Sequence, residues 1–368
     1  MKPNTLHQRS SNCGVKKLQV DADERPLTVQ VQSDPHVQRQ GAFGRLLSVF
    51  RRSSVQQLGF PNIGNTCFMN ATLQCLLSLP CFSTPIIDQQ VSWTDTSISQ
   101  MLRCLAELQQ ARLSSSGTSM QKRHLLRAVK RCLSTRCPDF GYYAQQDAHE
   151  FLMLCLLQLK EEGEALRASS LPYICPVANF EFQLRSVRTC TSCGLQRSRV
   201  EDFNHLSINL SSTLTHSLHS YFQQTELELS CQCGKGRQAC EVQEFSTLPR
   251  VLILHVKRFS MLGDGKKLKD VMDIPAQLDL SHFPGVASLG QSGGSACSQS
   301  FGHLGTEKLE ANPLDLSSFR PGHYISDAAD GAGGDWLSFD DSKVSQQSEA
   351  AVLKCRATTA YLLFYVHR

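Results

Sequence analysis

The chain has 368 residues, of which 41% are hydrophobic and 19% charged, and its formal net charge is +4. That length suits one large catalytic domain or two modest ones, and so slight a positive balance, with no basic run interleaved with aromatics, gives no basis for a nucleic-acid partner. The longest apolar stretches, such as RVLILHV and AYLLFYV, are too short to span a bilayer, so no membrane is expected, and the start MKPNTLHQRSSNCG lacks the apolar run of a secretory leader.

Residues 1–55 are polar and without sustained periodicity, and are expected to be a disordered extension. From residue 56 the texture changes. After PNIGNTC an apolar helix is expected, then a second over SISQMLRCLAELQQARL, where Ile98, Leu102, Leu105 and Leu108 fall at helical spacing. QKRHLLRAVKRCL and AQQDAHEFLMLCLLQLKEE are further helices, the last with acids in its first turn and Lys160 near its end, as the macrodipole favours. Beyond Pro172 the pattern turns strand-like in ANFEFQLRSVRTC, EDFNHLSINL, LELSC and VLILHVKRF. A Gly/Ser-rich stretch, about 285–318, is expected to be a flexible insertion. The end, GHYISD to AYLLFYVHR, is strand-rich again. Helices first and antiparallel strands afterwards argue for an α+β fold with separate layers.

Sixteen cysteines in a long chain without a leader point to reduced thiols, a metal site or a catalytic thiol rather than a disulfide scaffold. Cys67 stands directly after a Gly-Asn-Thr turn at a helix start, where unpaired N–H groups and partial positive charge favour the thiolate. Asn62 and Asn65 place amide donors beside it, as an oxyanion requires. A buried structural cysteine next to an Asn/Thr cap fits the same letters. A base for such a thiol is offered by His323, with Asp340 seventeen residues on and a DGAGGD turn between them. If the two arms form a hairpin centred near Gly331 and Ala332, residues 323 and 340 lie opposite each other, about 5 Å apart at Cβ. A carboxylate there would hold the imidazole as a general base requires. Asp341 is the rival acid, since one residue of slip exchanges the two. The bland alternative is a surface histidine beside a solvated FDDS loop.

These stretches carry a resemblance. GFPNIGNTCFMNATLQCLLSLP resembles the cysteine box of the ubiquitin-specific proteases, YYAQQDAHEFLMLCLLQL their glutamine/aspartate box, and PGHYISD…WLSFDDSKVS…AYLLFYVHR their histidine box and last strand. LPRVLILHVKRF resembles the strand before that box, and the wording is most like the ubiquitin carboxyl-terminal hydrolase 37 subgroup. The resemblance implies a papain-like cysteine protease fold with a helical thumb (about 56–170), β fingers (about 175–245) and an antiparallel β palm (about 246–368), one catalytic domain over 56–368. It implies a thiol-dependent deubiquitinase that hydrolyses the isopeptide or peptide bond after ubiquitin's terminal glycine. Cys67 would be the nucleophile, His323 the base, Asp340 its orienting acid, Asn62 the oxyanion amide and Asp341 a supporting acid. Asp147 would contact ubiquitin's basic tail, and Tyr324 and Gly322 would line the channel for its glycines. A helix-terminal charge role suits Asp147 and Glu150 equally. His149 reads as a packing histidine.

Two close thiol pairs, Cys190 with Cys193 and Cys231 with Cys233, suggest a structural zinc at a fingertip. The second pair is C-x-C, not C-x-x-C, and Cys240 is an alternative ligand. Cys104, Cys132 and Cys155 fall at helical apolar positions and read as core. Catalysis by such a thiol needs no cofactor. The expected partners are ubiquitin and ubiquitinated proteins. The basic patches FRRSS and GKGRQ leave cytosol and nucleus equally open. A protease for a ubiquitin-like modifier and a catalytically silent ubiquitin-binding scaffold are the rival readings, and a zinc-dependent binding module is a third.

Overall fold

In the computed structural model the described residues are 57–93, 97–114, 117–171, 173–234, 237–258, 267–289, 306–308, 323–329 and 335–367. The expected extension over 1–55, most of the insertion and Gly322 lie outside them.

Helices dominate the first half. They are α1 (Cys67–Ser78), α2 (Pro80–Gln89), α3 (Gln100–Leu113), α4 (Ser119–Ser134) and α5 (Ala148–Ala168). Thr118 caps α4 by accepting from the Gln121 N–H, and Asp147 caps α5 by accepting from Glu150 N–H at 2.9 Å. Leu102, Leu105 and Leu108 of α3 are fully buried, as their spacing requires. Ile98 falls before α3, in a short 3-10 turn at Ser97–Ser99, and is only half-buried. α2 was not anticipated, because its two prolines read as breakers. Pro80 occupies the first turn, where no N–H is needed, but Pro85 sits inside the helix.

The strands form three sheets. The first has the order β2-β1-β5-β4, from β1 (Phe182–Cys190), β2 (Gln196–Phe203), β4 (Thr225–Glu228) and β5 (Gln238–Phe245). The second runs β10-β9-β8-β7, from β7 (Thr306–Lys308), β8 (His323–Ala329), β9 (Asp335–Asp340) and β10 (Lys343–Ser348). In the third, β6 (Val251–Lys257) lies between β11 (Leu362–Val366) and β3 (Leu206–Asn209). Every described strand pair is antiparallel except β3 with β6. The chain between those two passes through α6 (Leu214–Phe222), the kind of crossover a parallel pair demands. This is the α+β architecture expected. Helix α7 (Glu349–Arg356), capped by Ser348, packs against β9 and β10.

One core joins α1, α3, α4 and α5 to β8, β9 and β11, so the helices carrying Cys67 and the hairpin carrying His323 share a single packed interior. A second core lies among β3, β6, α6 and β11. No helix among the described residues is long and apolar enough to cross a membrane.

Candidate active site

Cys67 is the first residue of α1 and is 2% exposed. Two side chains hold the turn before it, and Thr66 Oγ1 accepts from Ile63 N–H at 3.0 Å. Asn62 Oδ1 accepts from Gly64 N–H at 3.0 Å and Thr66 N–H at 3.2 Å. Gly64 has φ +116°, and a Cβ there would meet the Tyr143 ring at 2.7 Å, so both backbone and space require glycine. Asn65, at φ 49°, donates from Nδ2 to the Tyr143 carbonyl at 2.8 Å.

Helix α4 fastens this loop with two cations and the neighbouring loop at Tyr142 with a third. Lys122 Nζ donates to the Gly59 carbonyl at 3.3 Å, Arg123 to the Asn62 carbonyl at 3.4 Å, and Lys130 Nζ to the Tyr142 carbonyl at 2.7 Å. Lys130 also stands 4.9 Å from the centre of the Tyr143 ring.

His323 reaches the thiol from β8. Its Nε2 is 2.5 Å from Asp340 Oδ1, which leaves Nδ1 for the thiol. Its pKa is raised from 6.5 to about 9, first by its hydrogen bond to Cys67 and then by Asp340, against the opposing cost of burial.

The hairpin that achieves this has a register different from the one expected. β8 pairs Ser326 with Phe339 and Ala329 with Trp336, so on that ladder Asp340 falls opposite Ile325, not His323. The shift is two residues, so the faces are unchanged. His323 and Asp340 are diagonal neighbours on one face, a separation that an imidazole and a carboxylate bridge.

Asp341 has left its strand, at φ 52° in the turn between β9 and β10. Its carboxylate stays within 4.8 Å of the facing atoms of His323 and Asp340, but its hydrogen bonds go elsewhere. Oδ2 accepts from Asn62 Nδ2 at 3.0 Å and Oδ1 from Asn70 Nδ2 at 2.7 Å. One Asn62 N–H is thereby aimed and the other remains for an oxyanion. Gly59 closes the arrangement: Phe60 N–H donates to the Asp341 carbonyl at 2.8 Å, and a Cβ on Gly59 would lie 2.3 Å from that oxygen. Asn62→Ala is expected to lower kcat by about 10²–10³-fold with little change in KM, as for loss of one oxyanion donor. Steady-state hydrolysis of a fluorogenic ubiquitin substrate measures this, and an effect confined to KM would assign Asn62 to binding.

Asp147, at the start of α5, accepts from the Tyr361 hydroxyl at 2.5 Å as well as from the Glu150 N–H. The helix-cap role is therefore present, and the carboxylate is held from two sides. Tyr324 is 6% exposed, its ring 6.3 Å from that of Tyr361 and behind α1. His149 stacks on His255 at 3.9 Å and lies 4.6 Å from His205. Burial first, and one another's proximity second, push the pKa of all three to about 4. They are neutral at pH 7, and none of these ring contacts involves the thiol.

Gln145 was not foreseen from the sequence. Its Nε2 donates to Cys67 Sγ at 3.2 Å. Its stretch resembles the family's glutamine/aspartate box, but only Asp147 of that box was given a role, since no local pattern reveals the path of the loop. Asn70 was missed likewise, since mid-helix it reads as an ordinary position.

At the fingertip, one sulfur from each of Cys190, Cys193, Cys231 and Cys233 lies within 4.8 Å of all the others. Zn–S bonds of about 2.3 Å place tetrahedral sulfurs about 3.8 Å apart, so the set fits. Both turns end in a glycine at φ +70°, Gly194 and Gly234, which lets C-x-C close as C-x-x-C does. Backbone N–H groups of Ser192 and Cys193 lower the Cys190 pKa. Against a lowering N–H from Leu195, the neighbouring thiols, first Cys190, raise Cys193 to about 12. Four such sulfurs ionise together only around a cation. Cys240 pairs across strands with Thr189 and Glu226 and is not in the cluster.

A family model described as ubiquitin carboxyl-terminal hydrolase matches residues 58–365. The chain belongs to that family. Among curated hydrolases it is 37% identical over 259 residues to human ubiquitin carboxyl-terminal hydrolase 29, and 37% identical over 257 residues to human ubiquitin carboxyl-terminal hydrolase 37. Those alignments cover 62% and 61% of this chain but 28% and 26% of the relatives, so the match spans about a quarter of their length. Among solved structures it is similar to the SAGA Ubp8/Sgf11/Sus1/Sgf73 DUB module bound to ubiquitin aldehyde. The TM-score is 0.70 at 26% identity, covering 86% of this chain and 71% of that one. The same module with a substituted Ubp8, bound to monoubiquitin, gives 0.69 at 25% identity, again over 86% of this chain and 71% of that one. The resemblance to ubiquitin-specific proteases, and their α+β papain-like fold, are thereby established for this hydrolase-family chain.

Proposed function

We propose that the chain is a thiol-dependent deubiquitinase in which Cys67 is the nucleophile, His323 the acid–base group, Asp340 its orienting acid and Asn62 the oxyanion donor. The observation that carries this reading is the run of contacts from Cys67 to His323 to Asp340, beside an Asn62 amide held by Asp341. The family and the ubiquitin-bound neighbours support ubiquitin as the partner. The Cys67 thiolate attacks the carbonyl carbon of ubiquitin's terminal glycine, and Asn62 takes the developing oxyanion. The His323 imidazolium gives its proton to the leaving amine. Neutral His323 then takes a proton from water as the hydroxyl attacks the thioester, and the thiolate departs. Asp147, fixed by Tyr361, offers its remaining lone pairs to a guanidinium of ubiquitin's basic tail. No step calls for nucleic acid or a membrane.

Ubiquitin carrying a C-terminal thiol-trapping electrophile tests the reading. A covalent adduct with the full chain, lost in Cys67→Ala, is expected. Binding without an adduct would leave a ubiquitin-binding scaffold, and no binding at all would direct the search to ubiquitin-like modifiers.

A zinc ion held by Cys190, Cys193, Cys231 and Cys233 would cross-link the two fingertip turns, a purely structural contribution. One equivalent of zinc is expected by elemental analysis, with a lower melting temperature after chelation or in Cys193→Ser. A metal-free protein whose melting temperature chelator leaves unchanged would refute it. All described cysteines are free thiols, which supports a reducing location, cytosol or nucleus. Cell fractionation decides between these.

A further inference from the structure

Two cysteines expected in the core sit at its edge, packed against it but only partly buried. Cys155 is fully buried, but Cys104 of α3 and Cys132 of α4 are half-buried and face each other. They lie in a groove of about 600 Å³ between the two helices, with Arg103, Arg131, His124 and Glu162 on its walls. The two thiols are near enough to shift each other's ionisation, and Cys132 Sγ lies 3.9 Å from Gln100 Oε1, one helical turn from Cys104 on α3. Nothing in the proposed hydrolysis uses them.

The geometry points to Cys104 and Cys132 as a reversible redox site, a dithiol that a peroxide converts to an α3–α4 disulfide. Three features converge on this. The thiols line one groove on neighbouring helices, with Cys132 against Gln100, one turn before Cys104 on the same helix. The groove admits a molecule the size of hydrogen peroxide. The two partners are electronically unequal: their mutual interaction lowers the pKa of Cys132 and raises that of Cys104, and at Cys132 it outweighs burial and the Glu162 charge, with Arg131 adding to the lowering. Cys132 is therefore the attacking thiolate and Cys104 the resolving thiol.

The chemistry balances with peroxide as oxidant. Cys132 thiolate attacks one peroxide oxygen, the O–O bond breaks, hydroxide leaves and Cys132 becomes a sulfenic acid. Cys104 sulfur then attacks the Cys132 sulfur, the S–O bond breaks, and the departing hydroxide takes the Cys104 proton as water. Two thiols and one peroxide give one disulfide and two waters. A dithiol reductant reverses the change by exchange. The bond formed would tie α3 to the helix whose opposite end clamps the Cys67 loop.

The sequence supplies a direct readout. Arg103 and Arg131 immediately precede the two cysteines, so trypsin releases CLAELQQAR and CLSTR. The full chain, kept in zinc, is treated with roughly stoichiometric hydrogen peroxide, alkylated and digested. The expected product is CLAELQQAR disulfide-linked to CLSTR, lost on treatment with dithiothreitol. In Cys104→Ser, Cys132 should be trapped as sulfenic acid by dimedone, several-fold more than in the parent; in Cys132→Ser, Cys104 should remain a thiol. The proposal is overturned if both peptides are recovered alkylated at a peroxide dose that has already oxidised Cys67. Passage of Cys132 to sulfinic acid without the link would overturn it equally.

Discussion

Replacing His323 with alanine is expected to lower kcat/KM for a ubiquitin substrate by about 10³–10⁴-fold, the range seen for loss of a positioned acid–base group. The pH profile should carry the assignment further. The pKa of His323 stands at about 9 because the ring is hydrogen-bonded to Cys67 and then to Asp340. The protonated ring is the form that delivers a proton to the leaving amine. Activity should therefore hold through neutral pH and fall along an alkaline limb near pH 9. Asp340→Asn removes one of the two contributions and should move that limb to lower pH. The same shift has a stability counterpart. A folded-state value raised from 6.5 contributes in full below pH 6.5 and is lost as pH climbs through 9. An alkaline limb already complete by pH 7 would show that Cys67 and Asp340 do not hold His323 in its protonated form.

Arg356→Ala is expected to destabilise the fold by about 3–5 kcal/mol, the cost of leaving a buried carboxylate unpaired. Asp327 is 1% exposed in the middle of β8. Arg356, from the last turn of α7, donates to it from Nε at 2.7 Å and from Nη2 at 3.1 Å, and also to the Ser338 hydroxyl of β9 at 3.4 Å. One guanidinium thus ties together the two strands that carry His323 and Asp340. Urea unfolding measures the loss. The double variant Asp327→Asn, Arg356→Met should recover much of it, since the orphaned charge, not the missing attraction, carries most of the cost. A single-variant loss below about 1 kcal/mol would mean that water reaches Asp327 and the pair acts as a surface salt bridge.

How much of this was legible in the letters depends on sequence distance. Cys67 was legible because its helix start, turn and amides are contiguous. His323 and Asp340 were legible as a hairpin, and the error of two residues lies in the turn between them, where glycines leave the register open. The parity survived, and with it the shared face. Asp341 was read as a supporting acid and as the rival of Asp340; it lies close to His323 and holds the Asn62 and Asn70 amides, a pairing across the chain that no local pattern announces. Gln145 and Arg356 act across gaps that no local periodicity reports. Cys104 was misplaced for a subtler reason. It directly precedes the fully buried Leu105, and a hydrophobic stripe does not say where its shoulder ends.

The three cations of α4 have a consequence for how such a site can change. Lys122, Arg123 and Lys130 all grip main-chain carbonyls, those of Gly59, Asn62 and Tyr142. A carbonyl is the same whatever residue bears it. The main chain of the Cys67 loop, and of the neighbouring loop that bears the exposed Tyr142, is thus secured independently of the side chain displayed at position 142. Specificity can drift there by single substitutions while the nucleophile stays in place, so diversification and catalysis are separable between these two neighbouring loops.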